Sequence, residues 1–168
     1  LGVIPQRLVV FPLAEEFDET LLNGEYDPDD YSSDKFVMGA IKIVADGSIQ
    51  GFTGYLSAPY YTAYEGDDNY TGYPSVTRRA LFEQVEALHK AGYQMAIHGN
   101  GDQSIEDILD AFEAAQESHP VDDPRMILIH SQMAREDQIS RMPALGVTPS
   151  FFTAHTWYWG DRHRDIFM

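Results

Sequence analysis

The feature that most constrains the fold is an alternation of helical and strand-like segments in the second half of the chain. Apolar residues at helical spacing run from Val76 to Leu88 and stop at Gly92, and the strand-like run Tyr93 to Ile97 follows. Two more helix-strand steps follow, with segments at 103–117, 126–129, 139–145 and 147–151. Alternating elements of this length predict a parallel sheet in an α/β fold.

Two further strand-like runs precede these units. Arg7 to Pro12 is short, apolar and ended by proline, and Phe36 to Ala45 is nearly continuous, rich in β-branched residues and closed by Asp46. The second run is typical of a strand buried on both faces, and Lys42 is the one charge inside it. The segment between the two runs, 14–34, is acidic and is predicted to lie at the surface.

A long segment without helix or strand periodicity separates the two halves. Residues 47–73 are rich in Gly, Tyr, Ser and Thr and carry an acidic cluster at 65–69. Loops of this length inside compact domains are usually functional, so this one is a candidate lid or substrate loop. No internal boundary divides the chain, and we expect residues 1–168 to belong to one domain.

Composition excludes several classes of function. The net charge is −16, from 27 acidic and 11 basic residues, which predicts repulsion from nucleic acid and from anionic membranes. There is no cysteine, so a metal site would need histidine, carboxylate or modified lysine ligands. No apolar stretch is long enough to span a bilayer. We therefore expect a soluble, cytoplasmic protein that acts on a small molecule.

Two histidines occupy matching places in successive units. His98 follows the strand YQMAI, and His130 follows the strand MILI. In a parallel barrel the carboxyl ends of the strands converge, so the two imidazoles can meet around one ion, most simply Zn. The alternative is that each histidine only hydrogen-bonds a nearby loop, but their matching positions favour ligands. His89 and His119 are expected at the surface.

Lys42 is unusual because an ammonium group inside an apolar strand is costly unless it is paired, neutralised or modified. A modified Lys42 could itself be a metal ligand. Pairing with a buried carboxylate such as Asp46 or Asp102 is an equal alternative. For Asp102 the favoured interpretation is that it caps the helix that follows it.

Aromatic and basic residues are concentrated just after the last strand-like run, in the segment 155–164. Barrel enzymes place substrate contacts at this position. We predict Lys42 and His155 as catalytic residues, with His155 in contact with the substrate or its oxyanion. The predicted substrate-binding residues are Trp157, Trp159, Arg162 and His163. The alternative is an aromatic plug against the barrel mouth, with its arginines paired to surface acids.

Four stretches together resemble the YtcJ-like branch of the amidohydrolase superfamily, which includes N-substituted formamide deformylase. They are KIVADGSIQGFTGYLSAPY, GYQMAIHGNGDQSIEDILDAFE, RMILIHSQMAREDQISRM and GVTPSFFTAHTWYWGDRHR. The resemblance covers nearly the whole chain. It implies a partial (β/α)8 TIM barrel, about strands 3 to 7, and metal-dependent hydrolysis of amide, formamide or related C–N bonds by a metal-activated water.

The resemblance also implies roles for individual residues. His98 and His130 would be metal ligands at the ends of the fifth and sixth barrel strands. Lys42 would lie on the fourth strand, where many amidohydrolases carry a carboxylated lysine that bridges two metals. The family's His-x-His pair of strand one and Asp of strand eight have no counterpart here. We therefore expect a fragment that associates with the missing barrel parts or with a second copy.

Two other classes of function remain open from the residues alone. One is a noncatalytic α/β module of flavodoxin-like winding, which would bind a small ligand at its strand ends without metal. In that case Lys42 would be a salt-bridged core residue. The other is a structural or interaction domain that retains part of a barrel without its chemistry.

Overall fold

The structure is a computed structural model that describes residues 5–168, apart from the side chains of residues 17–19. Its strands are β1 (Leu8–Val10), β2 (Phe36–Met38), β3 (Ile41–Val44), β4 (Met95–Gly99), β5 (Met126–His130) and β6 (Val147–Phe151). Its α-helices are α1 (Ala14–Leu22), α2 (Arg78–Lys90), α3 (Asp102–Ser118), α4 (Glu136–Arg141) and α5 (Ala154–Arg162). Short 3₁₀ turns lie at Pro28–Tyr31 and Ile49–Gly51, and a π-helical turn lies at His163–Phe167.

The strands are parallel and follow one another in chain order. β3, β4, β5 and β6 form one sheet in that sequence, and β1 pairs with β2. A parallel bridge between Leu13 and Lys42 continues the first strand alongside β3. Among the described strands the order never reverses, whereas a flavodoxin-like winding requires a reversal. The arrangement confirms the predicted parallel sheet and is that of a partial TIM barrel.

The predicted strand Phe36–Ala45 is divided in two at Gly39. A Cβ atom at this position would lie 2.6 Å from the ring of Phe11, so the chain can pass this close only without a side chain. The backbone changes from the β1 partner to the β4 partner at this point. The single apolar run was therefore correct as a strand segment but wrong as one uninterrupted strand.

The main hydrophobic core lies between one face of the sheet and the helices. Ile43, Ile97 and Leu128 alternate along their strands towards this face and are buried. Ile108 and Phe112 of α3 complete it from the helical side. This core confirms the helical periodicity that the sequence predicted for α2 and α3.

Two expectations about burial were wrong or incomplete. The acidic segment 14–34 forms α1 and a 3₁₀ turn, and it buries Ala14, Leu21 and Tyr26 against the core. Ile139, in the predicted apolar segment 139–145, is 42% exposed, because α4 turns Gln138 and Met142 towards the interior instead. The segment 14–34 was expected at the surface because acidic residues surround the apolar positions of α1 in the sequence.

His89 is buried, contrary to its predicted exposure. Its Nε2 lies 2.8 Å from the backbone oxygen of His119, and the ring donates a hydrogen bond there because a carbonyl can only accept. His89 therefore fastens the end of α2 to the end of α3. No helix in the described part of the chain is long and apolar enough to cross a membrane.

Candidate metal centre and adjoining cavity

His98 and His130 come together at the carboxyl ends of β4 and β5. Their ring centroids lie 4.7 Å apart, and the rings are nearly perpendicular, at 83°. His98 continues the strand face opposite the apolar core. His130 adopts a left-handed backbone conformation, with φ of 73°, and so does Ser131, with φ of 49°. This turn interrupts the strand alternation at the point where the ring of His130 meets that of His98.

The ring of His98 is oriented by a backbone carbonyl. Its Nε2 lies 3.0 Å from the oxygen of Gly47, and the side-chain amide nitrogen of Asn100 lies 2.7 Å from the same oxygen. The Asn100 amide nitrogen also lies 3.0 Å from Nε2 of His98, but its shorter contact is to the Gly47 oxygen. Because Gly47 O and the Asp46 carboxylate, 3.5 Å from Nε2, can only accept, we assign the proton of the neutral ring to Nε2. The lone pair of Nδ1 is then free to bind a metal.

The imidazole of His130 is held in its neutral form. Burial lowers its pKa to about 4, and the positive charges of His98, His155 and Lys42 act in the same direction. Neutral imidazole is the form that ligates metals. Two imidazoles whose ring centroids lie 4.7 Å apart, one of them held neutral, therefore fit the predicted metal centre.

Lys42 lies half-buried on the face of β3 opposite the apolar core. Burial lowers the pKa of its amine to about 8, which makes the neutral, reactive form accessible. No carboxylate lies within 4.0 Å of Lys42 among the described residues, so the alternative of pairing with Asp46 or Asp102 was wrong. Both acids have other partners.

Asp46 is a fully buried carboxylate, for which the sequence suggested only the end of a strand or a partner of Lys42. It accepts hydrogen bonds from the backbone N–H groups of Tyr55 (2.9 Å), Asn100 (2.9 Å) and Gly101 (2.8 Å), and it lies 3.5 Å from Nε2 of His98. Burial raises the pKa of Asp46, while these donors and His98 oppose that rise. Asp46 thus connects three backbone segments around His98.

Asp102 fastens the long loop to the helical layer and does not cap α3 as predicted. It accepts from the backbone N–H of Ser57 at 2.9 Å, from the Ser57 hydroxyl, and from Arg135 at 2.8 Å. The cap position is Gly101, which makes no side-chain cap bond. A Cβ atom at Gly101 would lie 1.9 Å from the oxygen of Tyr55, so only glycine permits this contact.

The loop 47–73 is packed against the C-terminal segment. Ile49, Leu56, Tyr60 and Phe167 form a second buried cluster, with Phe52 and Tyr70 at its edge. Two backbone hydrogen bonds join the loop to this segment, from Tyr61 N–H to Phe167 O (3.3 Å) and from Thr62 N–H to Ile166 O (3.1 Å). The loop and the C-terminal segment thus form one layer above the strand ends.

A cavity of about 650 Å³ adjoins the histidines. Two more histidines follow His130 in successive ring contacts. The ring centroids of His130 and His155 lie 5.7 Å apart, and those of His155 and His163 lie 6.4 Å apart. Burial lowers the pKa of both His155 and His163. The cavity is lined by His130, Ser131, Gln132, Phe151, Phe152, Thr153, His155, Thr156, Gly160, His163, Arg164 and Met168.

The predicted substrate residues fall into two groups. His155 and His163 line the cavity. Trp157, Trp159 and Arg162 do not line it; Trp157 is 85% exposed, and the Arg162 guanidinium lies 5.6 Å from the Trp159 ring centroid. Their assignment as substrate-binding residues stays a prediction.

The described residues contain no group of three or more His, Asp or Glu side chains arranged to hold a metal. Asn100, Asp46 and Ser57, which orient the site, carry no pattern in the sequence that identifies them. Asp46 could have been suspected only because it directly follows the strand that contains Lys42.

Comparison with known proteins agrees with the geometry. The family model described as "Amidohydrolase family" matches residues 5–166. The chain is 33% identical over 118 residues to the amidohydrolase-type protein YtcJ of Bacillus subtilis, covering 67% of this chain and 21% of that protein. It is 28% identical over 123 residues to the protein LONG AFTER FAR-RED 3 of Arabidopsis thaliana, covering 73% and 20%. The chain thus spans about a fifth of these relatives.

A solved structure shares the fold. An uncharacterized metal-dependent hydrolase from Pyrococcus furiosus superposes with a TM-score of 0.72 at 24% identity, over 94% of this chain and 31% of that one. Its counterpart from Pyrococcus horikoshii gives a TM-score of 0.70 at 24% identity, over 91% and 29%.

Proposed function

The chain belongs to the amidohydrolase family, and from this premise we propose that the protein containing it is a metal-dependent hydrolase of C–N bonds in small molecules. Amides, formamides and related linkages are the proposed substrates. The observation that carries the proposal is the 4.7 Å approach of His98 and His130 at the ends of neighbouring parallel strands. Because the chain spans about a fifth of its curated relatives, the activity is proposed for the whole protein.

In the proposed site, His98 and His130 hold a divalent metal, which we expect to be Zn. Lys42, if carboxylated, is a further ligand. When bound, the metal supplies Lewis acidity and lowers the pKa of a coordinated water towards about 7. Asp46 and the carbonyl of Gly47 keep His98 oriented.

His155 is the proposed catalytic contact to the substrate. Its neutral ring lines the cavity and lies 5.7 Å from that of His130, where it can donate a hydrogen bond to an oxygen that gains negative charge. His163 forms the next part of the wall. Trp157, Trp159 and Arg162 are proposed to reach the substrate only together with other parts of the protein. Those parts, or a second copy, are the proposed partners.

The test is elemental analysis of the full-length protein, purified without chelator or affinity His tag. A His98→Ala/His130→Ala double variant is compared with His119→Ala, which removes a histidine at the opposite end of α3. We expect near-stoichiometric divalent metal in the wild type and in His119→Ala, and its loss in the double variant. Hydrolysis of a panel of formamides and N-acyl compounds should follow the metal content.

Three results would contradict the proposal at different points. Metal retained in the double variant would show that these histidines are not the ligands. A metal-loaded protein that hydrolyses none of the C–N compounds but does hydrolyse esters or lactones would leave the metal centre standing and reject the proposed bond. Absence of metal from the wild type would favour a noncatalytic module.

A further inference from the structure

We propose that Gly160 is a specificity-determining residue, because its lack of a side chain leaves room in the cavity for an apolar substituent of the substrate. The inference rests on the proposed function and narrows it: amides with a long or bulky apolar group are favoured over amides with only a small one. The sequence alone suggested no role for this glycine, which lies among the aromatic and basic residues of the segment 155–164.

Gly160 lies on the side of α5 that forms part of the cavity wall. Thr156, four residues earlier, and His163, three residues later, line the same cavity as Gly160. Residues at this spacing are neighbours on one face of a helix. Tyr158, two residues before Gly160, lies on the other side of the helix, is 72% exposed and does not line the cavity. Gly160 is therefore a gap between two side chains of the wall.

Neither the backbone nor the packing of the described residues requires a glycine at position 160. Its φ is not among the positive values of the chain, so other residues can adopt its conformation. Apart from the adjoining backbone of α5, no atom of the described residues lies within 4 Å of the place that a Cβ atom would take. A Cβ atom at Gly39 or Gly101 would instead collide with other atoms. Glycine also weakens a helix, so its benefit at position 160 is the open space itself.

The open space belongs to a cavity large enough for a substrate. Its volume of about 650 Å³ is within the range of small-molecule sites, and Phe152 and Met168 give it apolar walls. The proposed place of the scissile carbonyl is beside His130 and His155. Gly160 follows His155 by five residues, which is roughly 7–8 Å along a helix. A substituent of several carbon atoms would reach Gly160 from the histidines, and an ethyl group would not.

The experiment measures binding of two amides that differ in the length and bulk of one substituent. N-ethylacetamide and N-(2-cyclohexylethyl)acetamide are titrated into the metal-loaded full-length protein, and dissociation constants are obtained by ligand-observed NMR. We expect the wild type to bind the cyclohexylethyl compound more tightly by roughly tenfold or more, because its additional apolar surface is removed from water.

Two substitutions fill the space to different extents. Gly160→Met should weaken binding of the cyclohexylethyl compound by roughly tenfold and that of N-ethylacetamide by less than about twofold, because the new side chain takes the space of the ring. Gly160→Ala should have an intermediate effect on binding. Its thermal unfolding temperature should equal or exceed that of the wild type, because alanine favours the helix. Tyr158→Met, on the other side of α5, is the matched control and should leave both dissociation constants unchanged.

Four results would overturn the proposal. If Gly160→Met does not fold, or if Gly160→Ala unfolds at a lower temperature than the wild type, another part of the protein fills the space. Binding that is unchanged in Gly160→Met, or weakened equally for both compounds, would show that Gly160 does not select the substituent. The absence of a preference in the wild type would show that the cavity does not take this group, and so would the absence of measurable binding.

Hydrolysis of the same two compounds separates this inference from the proposed function. A protein whose binding preference changes in Gly160→Met but which cleaves no C–N compound keeps the role of Gly160 and loses the proposed function. Amide hydrolysis with the same ratio of kcat/KM for the two compounds in the wild type and in Gly160→Met gives the reverse result.

Discussion

The two faces of the sheet differ in the side chains they carry, apolar on one and polar on the other. The helix-facing side is an apolar core in which Ile97, Leu128 and Phe112 are buried with almost no polar atoms. The opposite side, called here the strand-end side because its groups lie at the carboxyl ends of the strands, carries His98 and His130 among hydrogen-bonded carboxylates and amides. The first side stabilises the fold through close packing, and the second holds groups in positions that packing alone would not favour. The difference predicts where substitutions affect stability and where they affect chemistry.

The largest expected effect on stability lies in the apolar core. Phe112→Ala should lower the free energy of unfolding of the full-length protein by about 3–5 kcal/mol, because it removes a fully buried ring from α3 and leaves a cavity. Chemical denaturation measures the loss. Glu117→Ala, an exposed position on the same helix, is the control and should change it by less than about 0.5 kcal/mol. Equal effects would show that Phe112 is not a residue of the packed core.

Asp46→Asn tests whether the polar side also contributes to stability. We expect a loss of about 2 kcal/mol, because an amide offers a single acceptor oxygen to three backbone N–H groups. Metal affinity should fall as well, since the support of His98 is lost. Asp123→Asn, at an exposed ion pair, is the matched control. No loss of either property would show that Asp46 is not a supporting residue.

Arg141→Met should lower the unfolding free energy by about 1 kcal/mol at pH 7, because Arg141 joins α4 to Glu106, Asp110 and Glu113. Burial would raise the pKa of Asp110, but its hydrogen bonds with Arg78 and Arg141 lower it. A carboxylate with a lowered folded-state pKa contributes stability above its unfolded pKa and loses it as the pH falls through the folded value.

Urea unfolding of both proteins at several pH values tests this prediction. The difference between wild type and Arg141→Met should be full near pH 7 and shrink below about pH 4, where the unfolded chain binds a proton at Asp110 before the folded protein does. Added salt should also reduce it. A difference that is independent of pH and salt would assign the effect of Arg141 to packing of its alkyl chain.

The smallest expected effect is at Trp157, which is 85% exposed on α5. Trp157→Ala should change the free energy of unfolding by less than about 0.5 kcal/mol. Thermal unfolding of the full-length protein is sufficient to measure it. A loss above about 1 kcal/mol would show that another part of the protein covers this ring, and the strand-end side would then include a packed interface.

Much of the fold could be predicted because its elements depend on local periodicity. The helices α2 and α3 and the strands β4, β5 and β6 lie within a few residues of the predicted segments. The errors occur where the local pattern conflicts with tertiary contacts. Acidic residues hid the buried face of α1, and Gly39 divides a uniformly apolar run because Phe11 packs against it.

The candidate site could be predicted only in part. His98 and His130 were found because both directly follow apolar strands, and their approach confirms that they share one place in the fold. Asp46 and Gln132 were missed as supporting and cavity-lining residues, because their partners come from segments far away in the sequence. The capping role predicted for Asp102 was wrong for the same reason, since Ser57 and Arg135 hold its carboxylate.

The sequence by itself determined the alternation of helices and strands, the placement of two histidines at strand ends and the family to which the chain belongs. Only the tertiary structure decided that the long loop packs on the C-terminal segment and that the Asp46 carboxylate joins this loop to the end of β4. The physical reason is how far apart in the sequence the interacting residues lie. Periodic burial is encoded by neighbouring residues, whereas the direction of a hydrogen bond depends on donors and acceptors that only folding brings together.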